Sequence, residues 1–150
     1  MYEYRATLLK IVDGDTVDVD IDLGFGIVLS NQRIRLYGID TPESRTRDLE
    51  EKKCGKLAAK YIEDHIKVGS TFTLRSRLDK KGKYGRILGE LICFVPEFDR
   101  EMSLNDSMII KKLAVKYHGQ SKSDIEEEHL KNRAILYQNG LIERVQIYEW

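Results

Sequence analysis

The alternation of apolar and polar positions predicts five short strands and three helices. Arg5 to Ile11 is rich in apolar and β-capable residues and reads as a first strand. From Val17 the pattern has period two, with Val17, Val19, Ile21 and Leu23 on one face and Asp18, Asp20 and Asp22 on the other. Gly24-Phe-Gly26 supplies a turn, and Ile27 to Leu36 returns as a third strand with Arg33 and Arg35 on one parity. The acidic row is expected to be an exposed face paired across this hairpin with basic residues.

The period then changes. Ser44 to Lys53 is almost wholly polar and predicts a surface loop, a candidate lid, entering a helix. Cys54, Leu57, Ala58, Tyr61, Ile62 and His65 fall at helical spacing, and Gly69-Ser70 ends the helix. Thr71 to Arg77 and Ile87 to Phe94 are the last two strands, and Pro96 to Arg100 is a short connection. Ser103 with Asp106 caps a second helix carrying Leu104, Met108, Ile109 and Leu113. Ser123 with Glu126 opens a third, running to Asn139-Gly140, with Leu130, Ala134 and Tyr137 as its inner stripe. The order β-β-β-α-β-β-α-α predicts an α+β, mainly β chain: one domain over residues 1–150, a five-stranded OB-fold Greek-key barrel with three helices.

Composition narrows the function only slightly. The chain has 150 residues, 41% hydrophobic, enough for one core, and 25 basic residues against 25 acidic ones. A net charge of zero advertises no polyanion partner, so any nucleic-acid site must be local. No apolar run approaches bilayer length and no basic head precedes a hydrophobic stretch, so the reading is a protein without membrane or export signals. Cys54 and Cys93 stand far apart and predict two free thiols.

The candidate chemistry centres on Arg35-Leu-Tyr-Gly-Ile-Asp-Thr-Pro-Glu43, one guanidinium and two carboxylates within nine residues. Asp40 is a potential ligand for a hard cation. Pro42 holds Thr41 extended with its carbonyl free to point at a metal, and Glu43 is available as a base or water-orienting group. Asp15 follows the Asp13-Gly14 turn at the start of a strand. The pair does not open an EF-hand loop, because Gly24 stands at the twelfth position, where that loop needs Glu. Between Arg75 and Arg86 six basic residues, Arg75, Arg77, Lys80, Lys81, Lys83 and Arg86, face one acid, Asp79. Tyr84 and Arg86 together can reach one phosphodiester, by stacking or hydroxyl and by a bidentate fork. His65 reads as a packed or solvated histidine, since no second ligand is spaced to join it.

Val12-Asp-Gly-Asp-Thr-Val17, Arg35 to Glu43 and Lys83-Tyr-Gly-Arg86, in this order around a helix, resemble the staphylococcal-type nuclease (thermonuclease) family from about Leu8 to Tyr117. The resemblance implies the OB barrel with three helices and calcium-dependent hydrolysis of phosphodiesters in DNA and RNA. The implied enzyme is a sugar-non-specific endonuclease that prefers single-stranded or frayed substrate and leaves 3′-phosphate ends. It also implies one calcium ion on Asp15, Asp40 and the Thr41 carbonyl. Arg35 and Arg86 become the phosphate-binding arginines, and Glu43 the general base or water organiser. Lys83, Tyr84 and Tyr117 become substrate contacts. The chain departs from the family pattern in the long hairpin around Gly24-Phe-Gly26, in Lys112 where glycine is expected at a helix end, and in Tyr117, which comes one residue early. A monomer in the cytoplasm, or a phage-encoded intracellular enzyme, is the expected setting.

Two readings compete with catalysis. One is an inactive OB-fold module that binds nucleic acid or protein; the other is a calcium-stabilised structural protein. The second leaves Arg35, Glu43, Tyr84 and Arg86 without a purpose.

Overall fold

The structure, a computed structural model, describes residues 2–77 and 87–142. Its first three strands, β1 (Glu3–Asp13), β2 (Thr16–Gly24) and β3 (Ile27–Leu36), form an antiparallel meander. β1 also pairs with β5 (Thr71–Arg77), β5 with β6 (Ile87–Val95), and β6 lies parallel to the end of β3 at Ile34 to Leu36. That last pairing closes a five-stranded mixed barrel in the order of an OB fold. β7 (Arg100–Ser103) extends β6 outside the barrel, and β4 (Ile39–Asp40) pairs with β8 (Val115–Lys116) in a separate two-stranded ribbon.

The alternation seen in β2 buries Val17, Val19 and Ile21 with Leu8, Ile34, Leu36, Leu74 and Leu91 inside the barrel. Beyond Ile21 the hairpin leaves the core. Leu23, Phe25, Ile27, Val28 and Leu29 are exposed, and Phe25 turns the chain at φ 56°. The expected cross-hairpin charge row holds at one rung only. Arg33 forks onto Asp18 at 2.9 and 3.3 Å, whereas Asp20 and Asp22 accept from the backbone N–H groups of Asn31 and Gly24, each at 2.8 Å. The register shifts between Val19 and Ile21, beside Asn31 (φ 51°), and β3 carries no basic residue from Ile27 to Gln32 to stand opposite Asp20 or Asp22.

α1 spans Leu49–His65, so the polar stretch expected to be loop as far as Lys53 is already helix. Asp48 caps it, accepting from the N–H groups of Glu50 (3.1 Å) and Glu51 (3.2 Å), and this first turn projects beyond the core where no apolar face is required. The lid shrinks to the bends at residues 44–47. α2 (Leu104–Ile110) is capped by Ser103 as predicted, and Lys112 adopts φ 66° in the helix-end position where glycine was expected. Leu113 packs after this turn rather than within the helix. Asn105, almost wholly buried, ties the closure together: it donates to the carbonyls of Tyr37 (2.9 Å) and Gly89 (3.1 Å) and accepts from Leu91 N–H (3.2 Å).

α3 (Lys122–Gln138) starts two residues before the predicted box, with Ser121 as its cap. Its inner face is also different: Leu130 and Ala134 are exposed, Leu136 is buried, and His129, Asn132 and Arg133 point inward. Tyr137 of the expected stripe does pack against the core beside Leu136, and the rest of the inward side is polar because His129, Asn132 and Arg133 meet Asp40, the Ala114 carbonyl and the start of α1. His65 is packed, as expected, with Nδ1 2.8 Å from the Tyr61 carbonyl and Nε2 3.0 Å from Glu97. Both thiols are free; Cys54 is buried, and burial holds Cys93 up at about 11. Among the described residues no helix is long and apolar enough to cross a membrane.

Candidate active site

Four segments meet at the open end of the barrel. The β1–β2 turn brings Asp13 and Asp15, the end of β3 brings Arg35, β4 brings Asp40, and the connection to α1 brings Thr41 and Glu43. The first meeting is enforced by the sheet. Thr16 pairs with Arg35, and Leu36 N–H donates to the Asp15 carbonyl at 2.8 Å, so Asp15 and Arg35 are locked side by side. Two irregularities in β1, between Leu8 and Lys10 and between Ile11 and Asp13, twist the turn toward the helix.

The helix is then packed against both site loops through missing side chains. A Cβ on Gly14 would stand 2.8 Å from Ala58 Cβ and 2.9 Å from Thr41 Oγ1. One on Gly55 would stand 2.7 Å from the carbonyl carbon and oxygen of Glu43 and from the Pro42 oxygen. Only glycine allows this approach, so Gly55 sets the position of the Glu43 backbone. Neither glycine stood out in the sequence as a site residue. A glycine inside a helix costs about 1 kcal/mol relative to alanine, and that cost was the available signal.

Arg35 lies between the two aspartates, its Nη1 3.4 Å from Asp15 Oδ2 and its Nη2 3.5 Å from Asp40 Oδ1. Nη1 also donates to the Leu36 carbonyl at 3.1 Å. Thr41 N–H donates to Asp15 Oδ2 at 3.3 Å, and Thr16 Oγ1 to Asp15 Oδ1 at 3.1 Å. Glu43 is exposed, its backbone N–H reaching Glu51 at 3.4 Å. Partial desolvation, then the neighbouring charges of Asp13, Asp15, Glu51 and Asp40, raises its carboxyl above the ordinary carboxylate range.

The structure therefore brings together Asp15, Arg35, Asp40, Thr41 and Glu43. All but Thr41 border an open cleft of about 440 Å³, lined also by Asp13, Thr16, Arg33 and Arg45, which the sequence reading had not assigned to a site. Tyr117 is half-exposed and not among the residues lining this cleft; its N–H donates to the Gly38 carbonyl at 2.8 Å. Lys83, Tyr84 and Arg86 lie outside the described residues. Arg75 and Arg77, expected to belong to a basic patch, are engaged instead by carboxylates. Arg75 binds Glu3 and Glu90, and Arg77 binds Glu90. A further contact was not foreseen: His129 on α3 places Nε2 2.7 Å from Asp40 Oδ2.

The family model for staphylococcal nuclease homologues matches residues 33–141. The chain belongs to that family. The match covers Arg35 to Glu43 and all of α3 and leaves out the β1–β2 turn, so Asp15 joins the site by its geometry. Endonuclease YhcR of Bacillus subtilis is 30% identical over 95 residues, 60% of this chain and 7% of that protein. A thermonuclease of Staphylococcus intermedius is 32% identical over 79 residues, 53% of this chain and 43% of that protein. Protein ParB of Escherichia coli is 30% identical over 127 residues, 79% of this chain and 62% of that protein. The chain thus matches less than two thirds of each of these relatives.

The donor set fits a hard divalent cation. Asp15 and Asp40 carry carboxylate oxygens close enough to be bridged by one guanidinium, and the Thr41 backbone lies against Asp15. The buried Thr41 hydroxyl has no hydrogen-bond partner. Among the described residues no three His, Cys, Asp or Glu side chains are grouped so as to hold a metal ion.

Proposed function

We propose that this chain is a calcium-dependent nuclease domain that hydrolyses phosphodiesters in DNA and RNA. The observation that carries the reading is the meeting of Asp15, Asp40, Arg35 and Glu43, drawn from four segments, around one open cleft. A fold needs no such excess of carboxylate at one end. Asp15, Asp40 and the Thr41 carbonyl would hold the ion, which when bound masks phosphate charge and favours ionisation of water.

Arg35, held to its two aspartates only at 3.4–3.5 Å, is free to turn toward a non-bridging phosphate oxygen as charge develops there. Arg86 is assigned the matching role from the sequence, and Lys83, Tyr84 and Tyr117 the holding of the strand. Glu43 orients the attacking water and takes its proton. The water oxygen bonds to phosphorus, the bond from phosphorus to the 5′ oxygen breaks, that oxygen takes a proton from solvent as Glu43 returns its own to solvent, and the strand is left with a 3′-phosphate and a 5′-hydroxyl. The raised affinity of Glu43 for protons suits a base better than an ordinary surface carboxylate would.

The test is cleavage of labelled single-stranded DNA and a matched RNA with calcium, with magnesium and with chelator, beside Arg35→Ala. Calcium-dependent cutting that the variant loses is the expected result. Salt-sensitive binding without cutting would favour an OB-fold binding module instead.

A further inference from the structure

α3 reaches the site through one side chain. His129 Nε2 lies 2.7 Å from Asp40 Oδ2, and a carboxylate can only accept, so Nε2 carries the hydrogen. The other oxygen, Oδ1, is the one that faces Arg35. Asp40 is therefore divided, with one oxygen held by the helix and one turned to the cleft. The helix that does this is itself fixed. Arg133, one turn on, lies 3.5 Å from Glu50 and 4.0 Å from Asp48 at the start of α1. Asn132 reaches the carbonyl of Ala114 at 3.3 Å, next to Val115, whose strand pairs with Asp40. Backbone and side chain of Asp40 are thus both positioned from α3 or from what it grips.

We propose that His129 is a positioning residue for the metal site: it holds Oδ2 so that Asp40 offers the cation Oδ1 alone, as a one-oxygen ligand. The inference rests on the metal-site assignment above. Its physical basis is that the terminal torsion of an aspartate is soft and roughly two-fold, so an unheld carboxylate samples both oxygens and both binding modes. A hydrogen bond from outside the ligand set removes that freedom, and losing such a partner typically weakens metal binding by about 10- to 100-fold. His129 is 15% exposed, so its bond to Asp40 is partly shielded from competing water.

The experiment is calcium titration by calorimetry, with terbium luminescence lifetimes in light and heavy water, on the parent, His129→Gln and His129→Phe. Gln keeps a donor and Phe keeps the ring. The expected result is affinity close to the parent's for His129→Gln and about 10- to 100-fold weaker for His129→Phe. The terbium lifetime of His129→Phe should also lengthen, as a second Asp40 oxygen replaces a bound water. Parent-like affinity and lifetime in His129→Phe would overturn the inference while leaving the metal site standing. So would a loss of equal size when His129→Phe is made in Asp40→Asn, because the effect would then not pass through Asp40. A parent protein that binds neither ion would overturn the metal site itself, and the inference with it.

Discussion

Two clusters of arginine and carboxylate lie on this small barrel, and they are built differently. On the outer face of β1, β5 and β6, Arg75 and Arg77 grip Glu90 at 3.2 and 3.0 Å, and Arg75 also holds Glu3 at 2.9 Å. Each charge there has a close partner of opposite sign. At the cleft, Asp13, Asp15, Asp40 and Glu43 share one space with Arg35 and Arg45, and Arg35 is 3.4–3.5 Å from Asp15 and Asp40. Arg33 is already taken by Asp18. The first cluster is satisfied and serves the sheet. The second holds surplus negative charge in an open space, an arrangement that lowers stability unless something positive occupies it.

The sharpest way to break this contrast is Arg35→Ala. Turnover should fall by about 10²- to 10³-fold, as for other donors to a developing oxyanion, with circular dichroism unchanged. An activity loss of that size from Arg75→Met would erase the distinction between the clusters. Gly55→Ala comes next. Its Cβ would meet the Glu43 and Pro42 backbone at 2.7 Å, and the expected shift of Glu43 should lower kcat by about 10²-fold in a protein that still melts cooperatively. Activity equal to the parent's would show that Glu43 need not be held there.

Arg75→Met should act the other way, costing about 1–2 kcal/mol in a urea titration while cleavage per folded molecule is unchanged, since it leaves the nearly buried Glu90 short of one donor. The smallest effect is expected from Glu43→Gln on the metal-free protein. The Glu43 carboxyl titrates higher in the folded chain than in the unfolded one, so its ionisation penalises the fold, and the penalty grows as pH rises from the ordinary carboxylate value through the raised one. Gln removes the penalty. Stability at neutral pH should rise by a few tenths of a kcal/mol, given how exposed the group is, and the gain should vanish in acid, where both states are protonated. Calcium should abolish the gain at neutral pH by neutralising the same repulsion.

How much of this was legible follows from what each signal depends on. The strand alternation at Val17, Val19 and Ile21 and the cap at Ser103 are local patterns, and each appears in the structure where the sequence put it; the run from Arg35 to Glu43 is local too, and the structure sets Arg35, Asp40 and Glu43 along one cleft. The order of strands and helices along the chain, which matches an OB barrel, was read from the same local signals. What the sequence could not supply were contacts between segments far apart along the chain. Periodicity treats α3 as an amphipathic helix with an apolar stripe, and Tyr137 of that stripe does meet the core with Leu136, but Leu130 and Ala134 are exposed and His129, Asn132 and Arg133 turn inward to polar partners. Composition gathers Arg75 and Arg77 into a basic patch, but the sheet sets them against Glu3 and Glu90. Gly14 and Gly55 look like a turn and a helix flaw until α1 is laid across the two loops that carry the site. Local propensity acts through neighbours in sequence and can be read there. A site depends on which distant atoms come within a few ångströms, and only the closure of the barrel and the docking of its helices decide that.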